Sequence, residues 1–429
     1  MAGSAQPKLG ERLRELRERQ KISLREMERR SGINSGYLSQ LERNEIAQPT
    51  PSVLNRLAAH YGEPVSVLME WAGYIETDPE GLSPNRKRAL NYIPEDISDD
   101  ELEALRAVLQ ALRGRDNSAT AYGKVHRSDL QLPRETKSVI RQTAVALLRE
   151  LDADQTPAAV NLDDALALSK LVAAQEIELD LEQRQSLRQR FGALVDRVLT
   201  RLQGVINLDS GEVFVKTDLH ELKRRFVLGH EIGHGVLEDH RIVFAHLDDH
   251  KRLEPEFADE LECQANHFSI ELLAKGDLLR KEFDGSRPRA RELARVSNQF
   301  EISVQAAARR IAEESQQECA VAIAWRANSG RGQIYLPSCK VWTSQSFERR
   351  YRWRDGEAPK DQITAALLSV GTEGVAQPFS VFDSRGGPAE IEVDGLDAVY
   401  SVVALFVPRR KALRVRALRS TRKSSVMTS

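Results

Sequence analysis

Apolar residues in the first seventy positions recur at helical spacing. Leu9, Leu13 and Leu16 mark one such face, and Tyr37, Leu38 and Leu41 a second. Val53, Leu54, Leu57 and Ala58 mark a third, and Val67, Leu68 and Trp71 a fourth. Ser23 followed by Glu26 reads as a capping box opening one more helix, which Gly32 breaks. Asn34 or Ser35 opens the next, and Pro51 and Pro64 stand where the last two begin. The pattern predicts five short helices over residues 8–72.

Gly73, Pro79, Gly81, Pro84 and Pro94 then interrupt the periodicity, as in a linker. A charged helix is expected over 99–113 and a loose polar stretch over 114–131. Helical spacing returns with Ile140, Ala144, Leu147 and Leu148, and again from Leu162 to Val172. Val205-Ile206-Asn207 and Val213-Phe214-Val215 flank Asp209, Ser210 and Gly211, which predicts a hairpin. A long helix is expected from His220 through Phe226, Val227, Ile232 and Val236, another over about 255–273, and a helical pair over about 289–314. Beyond 319 the texture turns strand-like at Ala320–Trp325, Gln333–Leu336, Phe379–Phe382 and Val399–Val407, with helices such as 361–369 between.

Composition adds limits. The chain has 429 residues, 41% hydrophobic and 29% charged, enough for several globular cores. No stretch approaches the roughly 20 apolar residues of a membrane span. The start, MAGSAQPKLGERLREL, has no apolar signal core, so a cytoplasmic protein without a membrane partner is expected. Cys263, Cys319 and Cys339 are odd in number and far apart, and read as small buried residues, not a disulfide framework. The net charge of −2 announces no nucleic acid. From Arg409 onward, however, the chain carries eight Arg or Lys residues and no acid. Such a tail either holds phosphate or an acidic partner, or is simply solvated.

Two helices joined by a short glycine-bearing turn make a helix-turn-helix layout. S-L-R-E-M-E-R-R is the first helix, S-G-I the turn, and N-S-G-Y-L-S-Q-L-E-R-N the recognition helix. Its early residues Asn34, Ser35, Ser39 and Gln40 are placed to reach base edges, and Gln can bond adenine with both amide atoms. Arg25, Arg29, Arg43 and Asn44 suit phosphates, which position the protein without specifying sequence. The stretch resembles the XRE (lambda-repressor-like) family over about 60 residues, on L-R-E-L-R-E-R-Q-K-I-S-L-R-E-M, S-G-Y-L-S-Q-L-E-R-N and P-T-P-S-V-L-N-R-L-A. The resemblance implies binding of double-stranded DNA as a homodimer. Met27-Glu28 departs from the family's usual Leu-Ala, where the larger Glu would alter packing at the helix crossing.

His230-Glu231-Ile232-Gly233-His234 is H-E-x-x-H. On a helix, residues four apart share a face, so both imidazoles can hold one ion with Glu231 beside it as general base. Gly229, Gly233 and Gly235 are expected to leave room beside the metal. Seven of the nine histidines fall between His220 and His267. A catalytic zinc site needs a third protein ligand. Spacing leaves it open among Glu260, Glu262 and His267, with His240 or Asp259 as weaker choices.

R-R-F-V-L-G-H-E-I-G-H-G-V followed by E-C-Q-A-N-H-F-S-I-E-L-L-A resembles the ImmA/IrrE metallopeptidase family over roughly 136–315. That resemblance implies metal ligands at His230, His234 and Glu262, Glu231 as catalytic base, and structural roles for Asn266 and Phe268. It implies zinc, with manganese also compatible, because His and carboxylate suit both. His267 or His240 is available as an oxyanion donor. Ser269 stands for a usual Ala, and Ala274 stands where the family often has Met or Pro, which leaves the end of that helix open. L-A-R-V-S-N-Q-F-E-I-S-V-Q-A-A-A-R-R-I is similar to the family's degenerate second helix-turn-helix. In IrrE-type regulators a GAF-like domain follows, an order similar to this chain's, although a full XRE domain in front is a departure. In that last region Trp325, Tyr335, Trp342, Tyr351 and Trp353 line a pocket or simply fill a core.

The expected fold is multidomain and mainly α. A five-helix DNA-binding domain spans 1–75, and a linker with a helix 76–134. A central α+β HExxH metallopeptidase domain spans 135–288, and an HTH-like helical segment 289–317. A C-terminal α/β GAF-like domain, sensory or dimerising, spans 318–415, and a basic tail 416–429. The expected function is a DNA-binding regulatory metalloendopeptidase that cleaves a protein such as a repressor in a stress, DNA-damage or phage-related response. The alternative is a transcription regulator whose peptidase-like domain is a metal-binding sensor or scaffold without proteolysis.

Overall fold

The structure, a computed structural model, describes residues 8–77, 89–92, 100, 104, 107–108, 132–174, 181–201, 203–207, 211–246, 251–285, 289–325, 327–328, 334–335, 339–352, 363, 365, 367, 379–383, 387–398 and 401–408. The expected loose segment 114–131, the turn at Asp209-Ser210 and the basic run from Arg409 lie outside them. Of the helix expected over 99–113, the described positions 100, 104, 107 and 108 are helical. Among the described residues, no helix is long and apolar enough to cross a membrane. The chain divides into two compact units, Met1–Leu279 with Val296–Ala306, and Arg280–Arg295 with Ala307–Ser429.

In the first unit the five expected helices form as α1 (Leu9–Arg19), α2 (Leu24–Ser31), α3 (Ser35–Glu42), α4 (Pro51–Tyr61) and α5 (Val65–Trp71). Ser23 Oγ accepts the Glu26 backbone N–H at 3.1 Å, so the cap on α2 forms as its sequence predicts. The reciprocal half of the capping box does not, because the Glu26 carboxylate turns to the guanidinium groups of Arg29 and Arg30. Gly32 ends α2 in the left-handed region, at φ 67°. Leu13, Met27, Leu38, Leu41, Leu54, Leu57 and Leu68 fill the core between the helices. The large Glu28 is accommodated at the helix margin, half-buried and bonded by the Asn34 side-chain amide at 3.5 Å. Arg17 pins α1 to α3 through a two-pronged pair with Glu42, at 2.6 and 2.8 Å.

The helix Arg134–Glu150 buries Ile140, Ala144, Leu147 and Leu148, the four residues its spacing marks. The next helix stops at Leu168, short of the expected Val172. Lys170 takes a positive φ of 58°, and the Leu171 N–H closes on Leu166 O at 2.9 Å, which ends the helix. Val172 instead pairs with Glu212 in a parallel strand contact. The expected hairpin forms between Gly204–Asn207 and Glu212–Val215. It is the middle of a four-stranded sheet ordered Ala89–Tyr92, Gly204–Asn207, Glu212–Val215, Val172–Ala173. A second, two-stranded pairing joins Ile75–Thr77 to Lys251–Leu253. Two helices follow the hairpin as predicted, Glu221–Val236 and Pro255–Ala274. Sequence reading missed the short helices Leu181–Phe191, Leu194–Arg201 and Glu238–His246.

The helices Asp277–Asp284, Ala290–Phe300 and Val304–Glu314 are shared between the two units. The second unit is built on a six-stranded sheet, antiparallel throughout. Its order is Cys339–Thr343, Ala320–Trp325, Ser401–Pro408, Pro388–Ala398, Phe379–Asp383, Tyr351–Arg352. Ala320, Ala322 and Ala324 alternate onto one face with Val402, Ala404 and Phe406, and Phe347, Ile363 and Leu367 cover them. Pro388–Ala398 is the longest strand, yet its run of Glu, Asp and Gly gave no strand signal. Of the five aromatics read as lining a pocket or filling a core, Trp353 lies outside the described residues. Tyr351 is buried against Phe347, Trp325 is exposed, and Arg309 lies over Trp342. None of the three cysteines is in a disulfide, and burial pushes the Cys319 thiol up to about 12.

Candidate metal centre

The helix Glu221–Val236 starts at His220, whose Nδ1 accepts the Leu222 N–H at 3.3 Å. Its next-to-last turns carry His230, Glu231 and His234, all completely buried. The helix Pro255–Ala274 opens on Pro255 at its first turn and on Glu254, which accepts the Phe257 N–H at 2.9 Å. Lys275 ends it at φ 51°, donating from Nζ to the carbonyls of Ala153 and Thr156. Ala274 is fully buried at this end.

The two helices come unusually close. A Cβ on Gly229 would lie 2.7 Å from Ser269 Oγ, and one on Gly233 3.0 Å from Phe268 Cδ1. Ser269 Oγ donates to Phe226 O at 2.8 Å across the same crossing. Gly229 and Gly233 are therefore spent on helix packing, and Gly235 on Leu171, not on space beside a metal as expected. The space beside Glu231 comes from Gly204 on the hairpin. A Cβ there would run into Val227 Cγ1 and sit 2.7 Å from Glu231 Oε1.

This close packing brings Glu262 to the two imidazoles. His230 Nε2 and His234 Nε2 are 3.1 Å apart. Glu262 Oε2 lies 3.2 Å from His230 Nε2, and Oε1 3.5 Å from His234 Nε2. Ligands about 2.0–2.1 Å from a tetrahedral ion stand about 3.3 Å from each other, so the three groups fit one divalent ion. Among the described residues they are the one group of three ligand-type side chains so gathered. The other candidates go elsewhere. Glu260 accepts from Gln264 at 3.1 Å, and His267 faces Glu271 at 3.3 Å. His240 lies behind His234, with Nδ1 2.8 Å from His234 Nδ1 and Nε2 3.2 Å from Gln264 Oε1. Both of its ring nitrogens are engaged, so His240 is not free to act as an oxyanion donor.

Burial disfavours charge on His234 and lowers its pKa, against the pull of Glu262. Burial also holds His240 well below the ordinary imidazole value. Burial works against charge on Glu262 too. When the imidazoles are protonated, attraction to His234 and hydrogen bonds from both rings outweigh it, and the carboxyl is then held well below the usual range. Neutral imidazoles and an ionised carboxylate are the forms that bind a metal. Asn266 Oδ1 is 3.1 Å from His230 Nδ1, fitting an imidazole that donates there and leaves Nε2 bare.

On the helix-turn-helix, Arg25, Asn34, Gln40 and Arg43 are exposed, and Ser35 and Ser39 half-exposed. Ser35, Ser39 and Arg43 recur every four residues along α3. Asn34 caps α3, its Oδ1 accepting the Gly36 N–H at 2.8 Å, while its amide NH2 donates to Glu28 at 3.5 Å. Arg43 pairs with Glu45 at 2.7 Å and touches Ser39. Sequence reading missed Gly204 and Gln264. The i,i+4 pair Glu260–Gln264 was the one local hint of the latter.

Comparison with known proteins agrees with both segments. Residues 8–71 match the profile of a helix-turn-helix domain, and residues 177–312 that of the IrrE N-terminal-like domain. The chain therefore joins an N-terminal helix-turn-helix domain to a central IrrE N-terminal-like domain, in a mainly helical, multidomain fold. Among curated proteins it is similar to the "Uncharacterized HTH-type transcriptional regulator RghRB" of Bacillus subtilis, 37% identical over 17% of this chain and 52% of that protein. It is also similar to the "HTH-type transcriptional repressor RghR" of the same organism, 35% identical over 18% of this chain and 56% of the other. The chain thus spans about half the length of the curated relatives it matches. A solved "Mycobacterium tuberculosis transcriptional regulator" aligns with 64% of this chain and 80% of that one. At a TM-score of 0.35 and 12% identity, that likeness is too slight to inform fold or function.

Proposed function

We propose that this chain is a DNA-binding regulator whose central domain is a metal-dependent endopeptidase acting on a regulatory protein, such as a repressor, in a cytoplasmic stress, DNA-damage or phage-related response. The observation that carries the reading is the quartet of buried His230, Glu231 and His234 with the partly exposed Glu262. In it, three ligand atoms stand at tetrahedral-site spacing beside a carboxylate on the same helix. His230, His234 and Glu262 hold the ion, with zinc the first choice and manganese the second. When bound, the ion supplies Lewis acidity and makes water acidic near neutral pH. Glu231 takes the proton of the attacking water and delivers it to the leaving amine nitrogen. Gly204 leaves the Glu231 carboxylate the room to do so.

In this reading residues 1–75 bind double-stranded DNA as a homodimer. Asn34, Ser35, Ser39 and Gln40 face bases, while Arg25 and Arg43 face phosphates. The linker is 76–134, the peptidase domain 135–288, and the HTH-like segment 289–317. A GAF-like sensory or dimerising domain spans 318–415, and the basic tail 416–429.

The test uses the zinc-loaded full chain and a purified repressor encoded beside its gene. Wild type cuts the repressor. Glu231→Gln binds the same zinc and cuts about 10²–10⁴-fold more slowly. Equal cleavage by the variant sinks the assignment of Glu231. One contact favours the second reading, a metal sensor without proteolysis. Asp239 Oδ1, close to the site, accepts the Ser52 N–H of helix α4 at 2.8 Å, which links the site physically to the DNA-binding region. Metal uptake that changes operator affinity, with no cleavage of the repressor, selects that reading.

A further inference from the structure

Behind the candidate ligands runs a chain of buried polar side chains that the peptidase reading does not use. Glu260 Oε1 faces Gln264 Nε2 at 3.1 Å, and Gln264 Oε1 faces His240 Nε2 at 3.2 Å. His240 Nδ1 faces His234 Nδ1 at 2.8 Å. Gln264, His240 and His234 are all buried, the two histidines completely. Each hydrogen bond has a direction that follows from the one before it. An amide NH2 only donates, so Gln264 gives a proton to Glu260 and must turn its carbonyl oxygen to His240. A carbonyl oxygen only accepts, so the proton of a neutral His240 sits on Nε2. His240 Nδ1 is then bare and accepts from His234 Nδ1–H. With its proton on Nδ1, His234 has a bare Nε2, the atom that faces His230 and Glu262.

We propose that His240 is a positioning residue for the metal centre, locking His234 in the tautomer whose Nε2 lone pair points at the ion, with its own tautomer set by Gln264 and Glu260. The proposal rests on the metal-site reading above. A ligating imidazole needs a partner on its second nitrogen to fix the ring and its proton. For His230 that partner is Asn266, on the same helix as Glu262. For His234 it is a third histidine on the short helix Glu238–His246, braced in turn from the helix Pro255–Ala274. Two helices thus grip the second ligand from behind. Sequence spacing offered His240 as a metal ligand, but its Nε2 is directed at Gln264 instead.

The experiment uses the full chain with Zn2+ alone as probe, in chelator-competition titrations, and metal-free chain labelled with [15N]histidine for imidazole NMR. His240→Ala is expected to weaken zinc binding about 10–100-fold and to leave His234 as a mixture of tautomers. His240→Asn, whose Oδ1 can take the place of Nδ1 as acceptor, restores affinity to within a few-fold of wild type. Gln264→Leu leaves His240 present but removes what orients its proton. It is expected to lower zinc affinity and mix the His234 tautomers, which keeps the question answerable should His240→Ala not fold. Wild-type zinc affinity in folded His240→Ala, or in Gln264→Leu, overturns the proposal. So does finding His234 protonated on Nε2 in the metal-free wild type. Wild type that takes up no zinc overturns the metal-site reading and this proposal with it. Zinc uptake by wild type, unaltered in both variants, overturns this proposal alone.

Discussion

His234 and His240 show how burial sets chemistry at single residues. Each is enclosed on every side, and burial holds each below the ordinary imidazole value of 6.5. A group whose folded pKa is depressed binds fewer protons folded than unfolded. The stability it confers is therefore full above about 6.5 and drains away as pH falls below that value. The metal-free chain is expected to unfold at a lower urea concentration at pH 5.5 than at pH 7.5. His240→Asn, which has nothing to titrate there, should show a smaller drop. A wild-type midpoint that stays level or rises on acidification contradicts this account. Glu262 adds a loss of the same sign at lower pH, since its folded pKa is also depressed.

At the scale of elements, two helices fit together because glycine repeats every four residues along one of them. Gly229 and Gly233 let Ser269 and Phe268 approach, and the neighbouring stripe, His230 and His234, then reaches Glu262. Alanine at 229 gains about 1 kcal/mol of helix propensity. It also sets a methyl 2.7 Å from Ser269 Oγ, overpacking that costs about 1–3 kcal/mol. Gly229→Ala is therefore expected to lower stability in chemical denaturation, and less so when combined with Ser269→Ala, which removes the clashing atom. Strict additivity of the two changes would place the strain elsewhere. Much of this was legible beforehand. The H-E-x-x-H stripe, the glycines, the Ser23 cap and the prolines at helix starts are local features, decided within a turn or two. The purpose of the glycines was not, because it depends on which helix lies opposite.

Across the whole first unit, the helix-turn-helix region is fastened to the helices that carry the site. Asp239 bonds the Ser52 N–H, the Tyr74 hydroxyl donates to Pro49 O at 3.0 Å, and the Tyr74 ring packs on Phe257 at 4.2 Å. Ile75–Thr77 pairs with Lys251–Leu253, just ahead of the Glu262 helix. Asp239 acts as a cap supplied from a distant part of the chain, and burial raises its pKa. Asp239→Ala is expected to cost about 1 kcal/mol and to speed hydrogen exchange at the Ser52 amide, with Asp239→Asn in between. Unchanged exchange in the alanine variant would mean that the contact does not hold α4.

By itself, the sequence determined the five N-terminal helices, the hairpin, the two long helices and the pairing of His230 with His234. Each follows from periodicities and caps read over a few neighbouring residues. Tertiary structure alone decided the rest. Spacing could not choose among Glu260, Glu262, His267, His240 and Asp259. All five are polar side chains within reach in sequence, and only the glycine-permitted crossing selects Glu262. The strands Ile75–Thr77, Ala89–Tyr92 and Pro388–Ala398 were illegible because a strand is completed by hydrogen bonds to a partner, not by its own residues. His240 carries the same lesson. Its place behind His234 is set by where a short helix folds back and by an amide on another helix, and neither leaves a periodic trace in the chain.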